Sequence, residues 1–126
     1  MGRFQVVPKL ETFVSEVGKV LIIGDAAHAS KPNDGQGGSV LLEDAADLAI
    51  AIKTANAKSD FGEVREIITR WDSIRVKRIE EVANAPMSMG MHMGPDDPFA
   101  KEGWTKENDP LFWLYGYDAN DIIKLL

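Results

Sequence analysis

A chain of 126 residues with 44% hydrophobic and 27% charged side chains can form one domain with a modest core, and its composition is that of an ordinary soluble globular protein. A net charge of −6 with no long basic cluster argues against nucleic acid or an anionic membrane as partner. The absence of cysteine excludes a disulfide scaffold and a thiolate metal site; with no apolar run near the ~20 residues that cross a bilayer and no signal-peptide pattern, the expected location is the cytoplasm.

Residues 3–7 read as a short extended segment closed by Pro8, which has no N–H to give a sheet ladder. Residues 10–18, LETFVSEVG, form a connector with at most one turn of helix. The run VLII at 20–23 is continuous rather than alternating, and predicts a short strand covered on both faces. A helix is predicted over 38–54, with Leu41, Ala45, Leu48, Ala49 and Ile52 on its packing face and Glu43, Asp44 and Asp47 on the opposite side. A second helix begins behind an Asp60 cap, with Glu63 completing a capping box. Its apolar stripe is Val64, Ile67, Ile68, Trp71, Ile74 and Val82, while Arg65, Arg70, Arg75, Lys77 and Arg78 read as a solvated face. Pro86 ends it. The stretch MSMGMHMGPDDPFAKEGW that follows has no period and reads as a long irregular loop. The tail gathers Phe112, Trp113, Tyr115 and Tyr117, and Asp118 or Asn120 starts a last short helix.

Residues 20–38, VLIIGDAAHASKPNDGQGG, place an acid at the tip of the strand and very little side chain ahead of the helix. A strand that passes through a Gly-rich turn into a helix gathers unsatisfied backbone N–H groups at the helix start, where the macrodipole adds partial positive charge. Gly35, Gly37 and Gly38 let another molecule approach the main chain. Asp25 stands where α/β sheets bind ligands; a carboxylate repels phosphate but accepts hydrogen bonds from sugar-like hydroxyls. The pattern asks for a ligand with hydroxyls and an electron-rich, anion-forming ring or acid. Without a ligand, the same residues are a capped strand-to-helix turn.

His28 is read as a packed or hydrogen-bonded turn residue rather than an acid–base group, and Glu43 and Asp44 as a solvated or interdomain pair rather than a catalytic one. Met87, Met89, Met91, Met93 and His92 have the soft donors of a Cu(I) site, but methionine also fills irregular apolar surface, and no metal site is assigned.

The stretch GDAAHASKPNDGQGGSVLLEDAADLA closely resembles the second flavin-binding motif of the FAD-dependent aromatic hydroxylases, the class A flavoprotein monooxygenases. That pattern is Gly-Asp-Ala-Ala-His, a spacer, Pro-x-x-Gly-Gln-Gly, a spacer, then Glu-Asp-Ala and Leu-Ala. It meets this sequence at residues 24–28, Pro32, 35–37, 43–45 and 48–49. The later WDSIRVKRI from Trp71 and WLYGYD from Trp113 resemble the salicylate-hydroxylase-like branch, and nearly the whole chain resembles about the last third of such an enzyme.

The resemblance implies that Asp25 hydrogen-bonds a ribityl hydroxyl of FAD, and that Pro32 lines the face of the ring where oxygen reacts, the one residue given a catalytic role. It places Gly24, Gly35, Gln36, Gly37 and Gly38 against the cofactor, with the amides of 35–37 near the pyrimidine edge that gains negative charge on reduction. The implied activity is reduction of FAD by NAD(P)H, capture of O2 and hydroxylation of a small aromatic substrate. The implied fold is an α+β fragment of the aromatic-hydroxylase fold, mostly helical with one or two short strands. Residues 1–86 would be part of the FAD-binding domain, and 87–126 an irregular loop and aromatic tail. The GxGxxG that holds the adenosine half of FAD in that family does not occur in this sequence. The chain alone is therefore expected to be inactive. Its expected partners are FAD, a small aromatic substrate in a complete enzyme, and a missing N-terminal portion or a second copy that also covers an exposed sheet edge. The alternatives are a non-catalytic flavin-binding remnant and a helical interaction module.

Overall fold

The computed structural model describes residues 8–29, 36–84 and 116–126. These form a short helix α1 (Asp25–His28), two long helices α2 (Gly37–Asn56) and α3 (Phe61–Ala83), and a 3-10 helix η1 (Ala119–Lys124). α2 is rich in alanine and leucine, the residues that give up least on entering a helix. It ends at Asn56, where the Ala57 N–H turns back to the carbonyl of Thr54 at 3.3 Å. Asp60, in extended conformation, starts α3: its Oδ1 accepts from the Gly62 and Glu63 amides at 2.7 and 3.3 Å. The predicted cap is thus present. Asp60→Ala is expected to cost about 1 kcal/mol, read as a lower urea midpoint at unchanged slope; an unmoved midpoint would show the cap to be idle.

The short link from Ala57 to Asp60 folds α3 back along α2 as an antiparallel hairpin, and the residues that meet run in opposite order. Near the start of α2, Val40 packs with Ile79 and Val82. Midway, Asp44 and Asp47 meet Arg75. Beyond them Ala51 and Ala55 join Ile67, Ile68 and Trp71 in the main core, which Ile122 of η1 closes. The interface is apolar, then ionic, then apolar. On α3 the apolar stripe is where the sequence places it: Ile67, Ile68, Trp71 and Val82 are buried.

On α2 the expected faces are largely exchanged, although Leu48 is half-buried and packs against the core as expected. Leu41, Ala45, Ala49 and Ile52 are exposed, whereas Asp44 and Asp47 are 1% and 0% exposed. The buried stripe is Val40, Asp44, Asp47, Ala51 and Ala55, which has helical spacing with two acids in its middle. Arg75 and Arg78, expected on a solvated face, are buried with them at 0% and 6% exposure. Acids and arginines are buried together because each removes the desolvation problem of the other.

The strand expected at 20–23 is not formed. Among the described residues the only β pairing is an isolated antiparallel bridge between Val14 and Leu21. It closes a tight loop in which the Ile22 amide bonds the Phe13 carbonyl at 2.9 Å, with Gly18 at φ 71° in the bend. Val20 is 63% exposed, so the run is not covered on both faces, and no sheet edge among the described residues needs a cover. Asp72 of α3 fastens this segment instead, accepting from the Phe13 amide at 2.7 Å and the Thr12 hydroxyl at 2.6 Å. The last helix begins as expected at Asp118, which accepts from the Asn120 amide at 2.9 Å. No helix among the described residues is long and apolar enough to cross a membrane.

Candidate functional site

The acid of the opening motif does not end a strand. Asp25 is the first residue of α1, exposed, and follows Gly24, whose φ of 60° makes the turn. Glycine is required at 24 on two grounds. L-residues rarely adopt that φ, and an added Cβ would lie 2.7 Å from Leu41 Cδ1 of α2. The Gly24 carbonyl accepts from the amides of Ala27 and His28, both at 2.9 Å, which winds the single turn of α1. The Gly24 amide donates to Asp44 Oδ2 at 2.9 Å, and His28 Nε2 reaches the same oxygen at 2.6 Å. His28 is therefore the hydrogen-bonded turn residue that its sequence setting indicates, with the Phe13 ring tilted against it at 5.8 Å.

Asp44 has both oxygens filled by donors. Oδ1 takes Arg75 Nε at 2.9 Å and Nη2 at 2.8 Å, and Oδ2 takes the α1 turn. Burial raises the Asp44 carboxyl, but the hydrogen bonds from His28 and Gly24 and the charge of Arg75 outweigh it and hold the group below its usual range. A carboxylate held ionised accepts, so Nε2 of His28 carries the hydrogen. Arg75 also donates through Nη1 to Asp47 Oδ2 at 3.0 Å and Glu43 Oε2 at 3.2 Å. Glu43 is gripped by Arg78 through two parallel bonds, Nε at 3.0 Å and Nη2 at 2.8 Å. The Tyr117 ring lies under both guanidinium groups, 5.6 Å from Arg75 Cζ and 4.6 Å from Arg78 Cζ, and its hydroxyl donates to Asp47 Oδ2.

Asp47 differs from Asp44. Its Oδ1 is buried and without a partner, and burial raises its carboxyl more than Tyr117 and Arg75 lower it. The carboxylate beside Tyr117 adds to burial in pushing the phenol above its ordinary value. Glu43 and Asp44 are thus neither solvated nor catalytic in arrangement; they are structural partners of arginines on the facing helix. Sequence reading missed Arg75, Arg78, Asp47 and Tyr117 as one cluster. The available signal was that acids on α2 and arginines on α3 both fall at helical spacing with buried apolar residues.

The start of α2 is bare. Gln36, 9% exposed, stands at the N-cap without a side-chain capping bond, and the first turn holds no acid. Gly37 is half-buried; Gly38 is exposed, and a Cβ built on it would meet no described atom within 4 Å. Nothing inside the described chain demands glycine at 38, and among the described residues no side-chain cap takes the amides of this first turn. The turn carrying Asp25 lies against the N-terminal half of the same helix, through Leu41 and Asp44. The structure therefore gathers Gly24, Asp25, Gln36, Gly37 and Gly38 on and beside α2. Pro32 and Gly35 lie outside the described residues, as do Pro86, the methionine cluster and His92.

Residues 12–61 match the FAD binding domain family. An FAD-dependent monooxygenase of Hypoxylon pulicicidum is 34% identical over 124 residues, 91% of this chain and 26% of that protein. Notoamide E oxidase of an Aspergillus species is 45% identical over 121 residues, 90% of this chain and 24% of that protein. Salicylate hydroxylase of Pseudomonas putida is 33% identical over 107 residues, 82% of this chain and 24% of that protein. This chain belongs to the FAD-dependent monooxygenase family. It spans about a quarter of the length of these monooxygenases. No solved structure matches it.

FAD is the cofactor of the family, and the described residues fit part of it. An exposed carboxylate at 25 suits a polyhydroxyl chain, a helix start with no side-chain cap and no acid in its first turn suits a ring edge that gains negative charge, and no described atom lies within 4 Å of a Cβ placed on Gly38.

Proposed function

We propose that this chain supplies the ribityl and ring side of the FAD site in a monooxygenase that uses NAD(P)H and O2 to hydroxylate a small aromatic substrate, in the cytoplasm. The chain is then the C-terminal part of that enzyme, with residues 1–86 completing the FAD-binding domain and 87–126 a loop and aromatic tail. The observation that carries the reading is the bare start of α2: a helix opening with two glycines, no side-chain cap and no acid, beside an exposed aspartate. In the family, bound FAD carries electrons from the nicotinamide to oxygen. This chain's residues would bind and orient part of the cofactor. Asp25 accepts from ribityl hydroxyls, the amides of Gly35, Gln36 and Gly37, with Gly38 behind them, serve the pyrimidine edge, and Pro32 lines the face of the ring where oxygen reacts.

The test is FAD uptake. The protein is mixed with FAD, alone and together with a GxGxxG-bearing portion of a relative, and followed by visible absorbance and NAD(P)H oxidation. Uptake and activity are expected in the mixture; colourless protein at saturating FAD in both cases overturns the reading. Gly38→Leu is the discriminating variant. Replacing an exposed helical glycine by leucine should raise the urea midpoint, by about 0.5–1 kcal/mol of helix propensity, since no described neighbour lies within 4 Å of the added Cβ. FAD uptake should nonetheless fall at least about tenfold, the equivalent of ~1.4 kcal/mol. A variant as receptive to FAD as the parent would remove α2 from the site.

A further inference from the structure

We infer that Asp44 is a positioning residue for the cofactor: it sets the Gly24–Asp25 turn, and Arg75 acts on that turn through it. The inference rests on the reading above, that Asp25 faces a flavin, and adds to it a residue with no contact of its own to the ligand.

The α1 turn is small. It has four residues, no side-chain cap and one glycine at positive φ, and so little internal stiffness with which to aim an exposed carboxylate. Asp44 supplies the stiffness from α2. A single oxygen, Oδ2, receives the Gly24 amide at 2.9 Å and His28 Nε2 at 2.6 Å, one bond at each end of the turn. Asp25 lies between those two anchors. The other oxygen is bound to Arg75 Nε and Nη2 at 2.9 and 2.8 Å, and Arg75 is fully buried. Because Asp44 belongs to α2, the helix whose bare start presents the Gly37 and Gly38 amides, the same bonds also hold Asp25 in register with those amides. Two halves of one ligand site, separated in sequence by the residues after His28, are thereby kept at a set spacing.

Asparagine is a poor substitute for chemical reasons. All four contacts to Asp44 are donors, so either orientation of the amide points N–H groups at N–H groups. At Asp47 the same change leaves the existing contacts in place, because the unpartnered Oδ1 position can take the amide nitrogen while the other oxygen keeps Tyr117 and Arg75. The two aspartates share a helix, an arginine and near-complete burial, and differ in that only Asp44 touches the turn. That makes Asp47→Asn a matched control.

The experiment compares the parent, Asp44→Asn and Asp47→Asn by amide hydrogen exchange without cofactor, then by FAD titration in the mixture described above. Exchange at the Gly24 amide should quicken at least about tenfold in Asp44→Asn, beyond any global change, and stay as in the parent in Asp47→Asn. FAD affinity should fall about tenfold or more in Asp44→Asn alone. Asp25→Ala should weaken FAD in the parent background and add almost nothing in the Asp44→Asn background, since an unaimed carboxylate has nothing left to lose. A residue that merely stabilises the fold would give additive losses and equal behaviour at 44 and 47, and that result overturns the inference. If Asp44→Asn does not fold, Asp44→Glu is used in its place: it keeps the charge for Arg75 and displaces the oxygen that holds the turn, so quickened exchange at Gly24 is again required. Failure of the parent mixture to take up FAD would sink the flavin reading and leave the Gly24 exchange to decide the positioning role.

Discussion

Arg75→Met is expected to destabilise the protein by about 3–5 kcal/mol, the usual loss when one partner of a buried ion pair is removed and the other charge is stranded. The side chain makes contacts to Glu43, Asp44, Asp47, Tyr117 and the Val40 carbonyl, and methionine keeps its volume without any of its donors. Two fully buried acids would lose their main counter-charge. Against a typical total of roughly 5–15 kcal/mol, the variant should be close to unfolding at room temperature. Urea denaturation followed by circular dichroism measures this, and a loss under about 1 kcal/mol would mean that the cluster relaxes into water.

The same variant has a pH signature. Asp44 sits below its ordinary value of 3.8 in the folded protein, so its contribution is present above the ordinary carboxylate range and disappears as pH falls through its folded value. Asp47 is raised; its ionisation opposes folding, so its effect is favourable below 3.8 and is lost as pH rises through its folded value. Without Arg75 both carboxyls move upward, because burial then acts unopposed by that charge. The penalty of Arg75→Met should consequently be largest at neutral pH and shrink on acidification, as the stranded acids take up protons. A penalty independent of pH would point to lost packing instead.

Trp71→Ala should cost about 3–5 kcal/mol, with the loss concentrated where η1 docks. Trp71 is fully buried among Ala51, Ala55, Ile67, Ile68 and Ile122. These neighbours belong to three elements with fixed spacings, and small residues on α2 cannot expand into the space left behind. Ile122 is the main apolar anchor of η1, so hydrogen exchange in that helix should rise before the rest of the fold is lost. Trp71→Phe provides the contrast. The indole Nε1 is buried without a partner, and phenylalanine removes that unsatisfied donor together with part of the volume, so the two effects offset and the loss should be well below that of alanine. Equal losses would show that the indole N–H has a function that the packing does not reveal.

Much of this protein was legible in the sequence because its signals are local. The Asp60 cap, the apolar stripe from Ile67 to Val82, the start of the last helix at Asp118 and the long helix behind the glycines all depend on neighbours within a turn or two. The family was legible as well, since a run of spaced positions in one short stretch carries it. The side of α2 that faces inward was not. Counting apolar residues favoured Leu41, Ala45 and Ile52, and nothing near Asp44 in the sequence contradicts that choice. The decision was made by Arg75, 31 residues away. An acid enters a protein interior only where a donor of opposite charge meets it, and such a meeting exists only once the two helices have folded against each other. Tertiary structure decided in the same way that residues 20–23 form a bridged loop and not a strand, since a strand needs partners along its length and the described chain offers one bridge. Sequence alone determined the two long helices, the last short one and the family they serve; the pairing of charges across the hairpin decided which face is buried and how the Gly24–Asp25 turn, with its unexpected helix α1, is held.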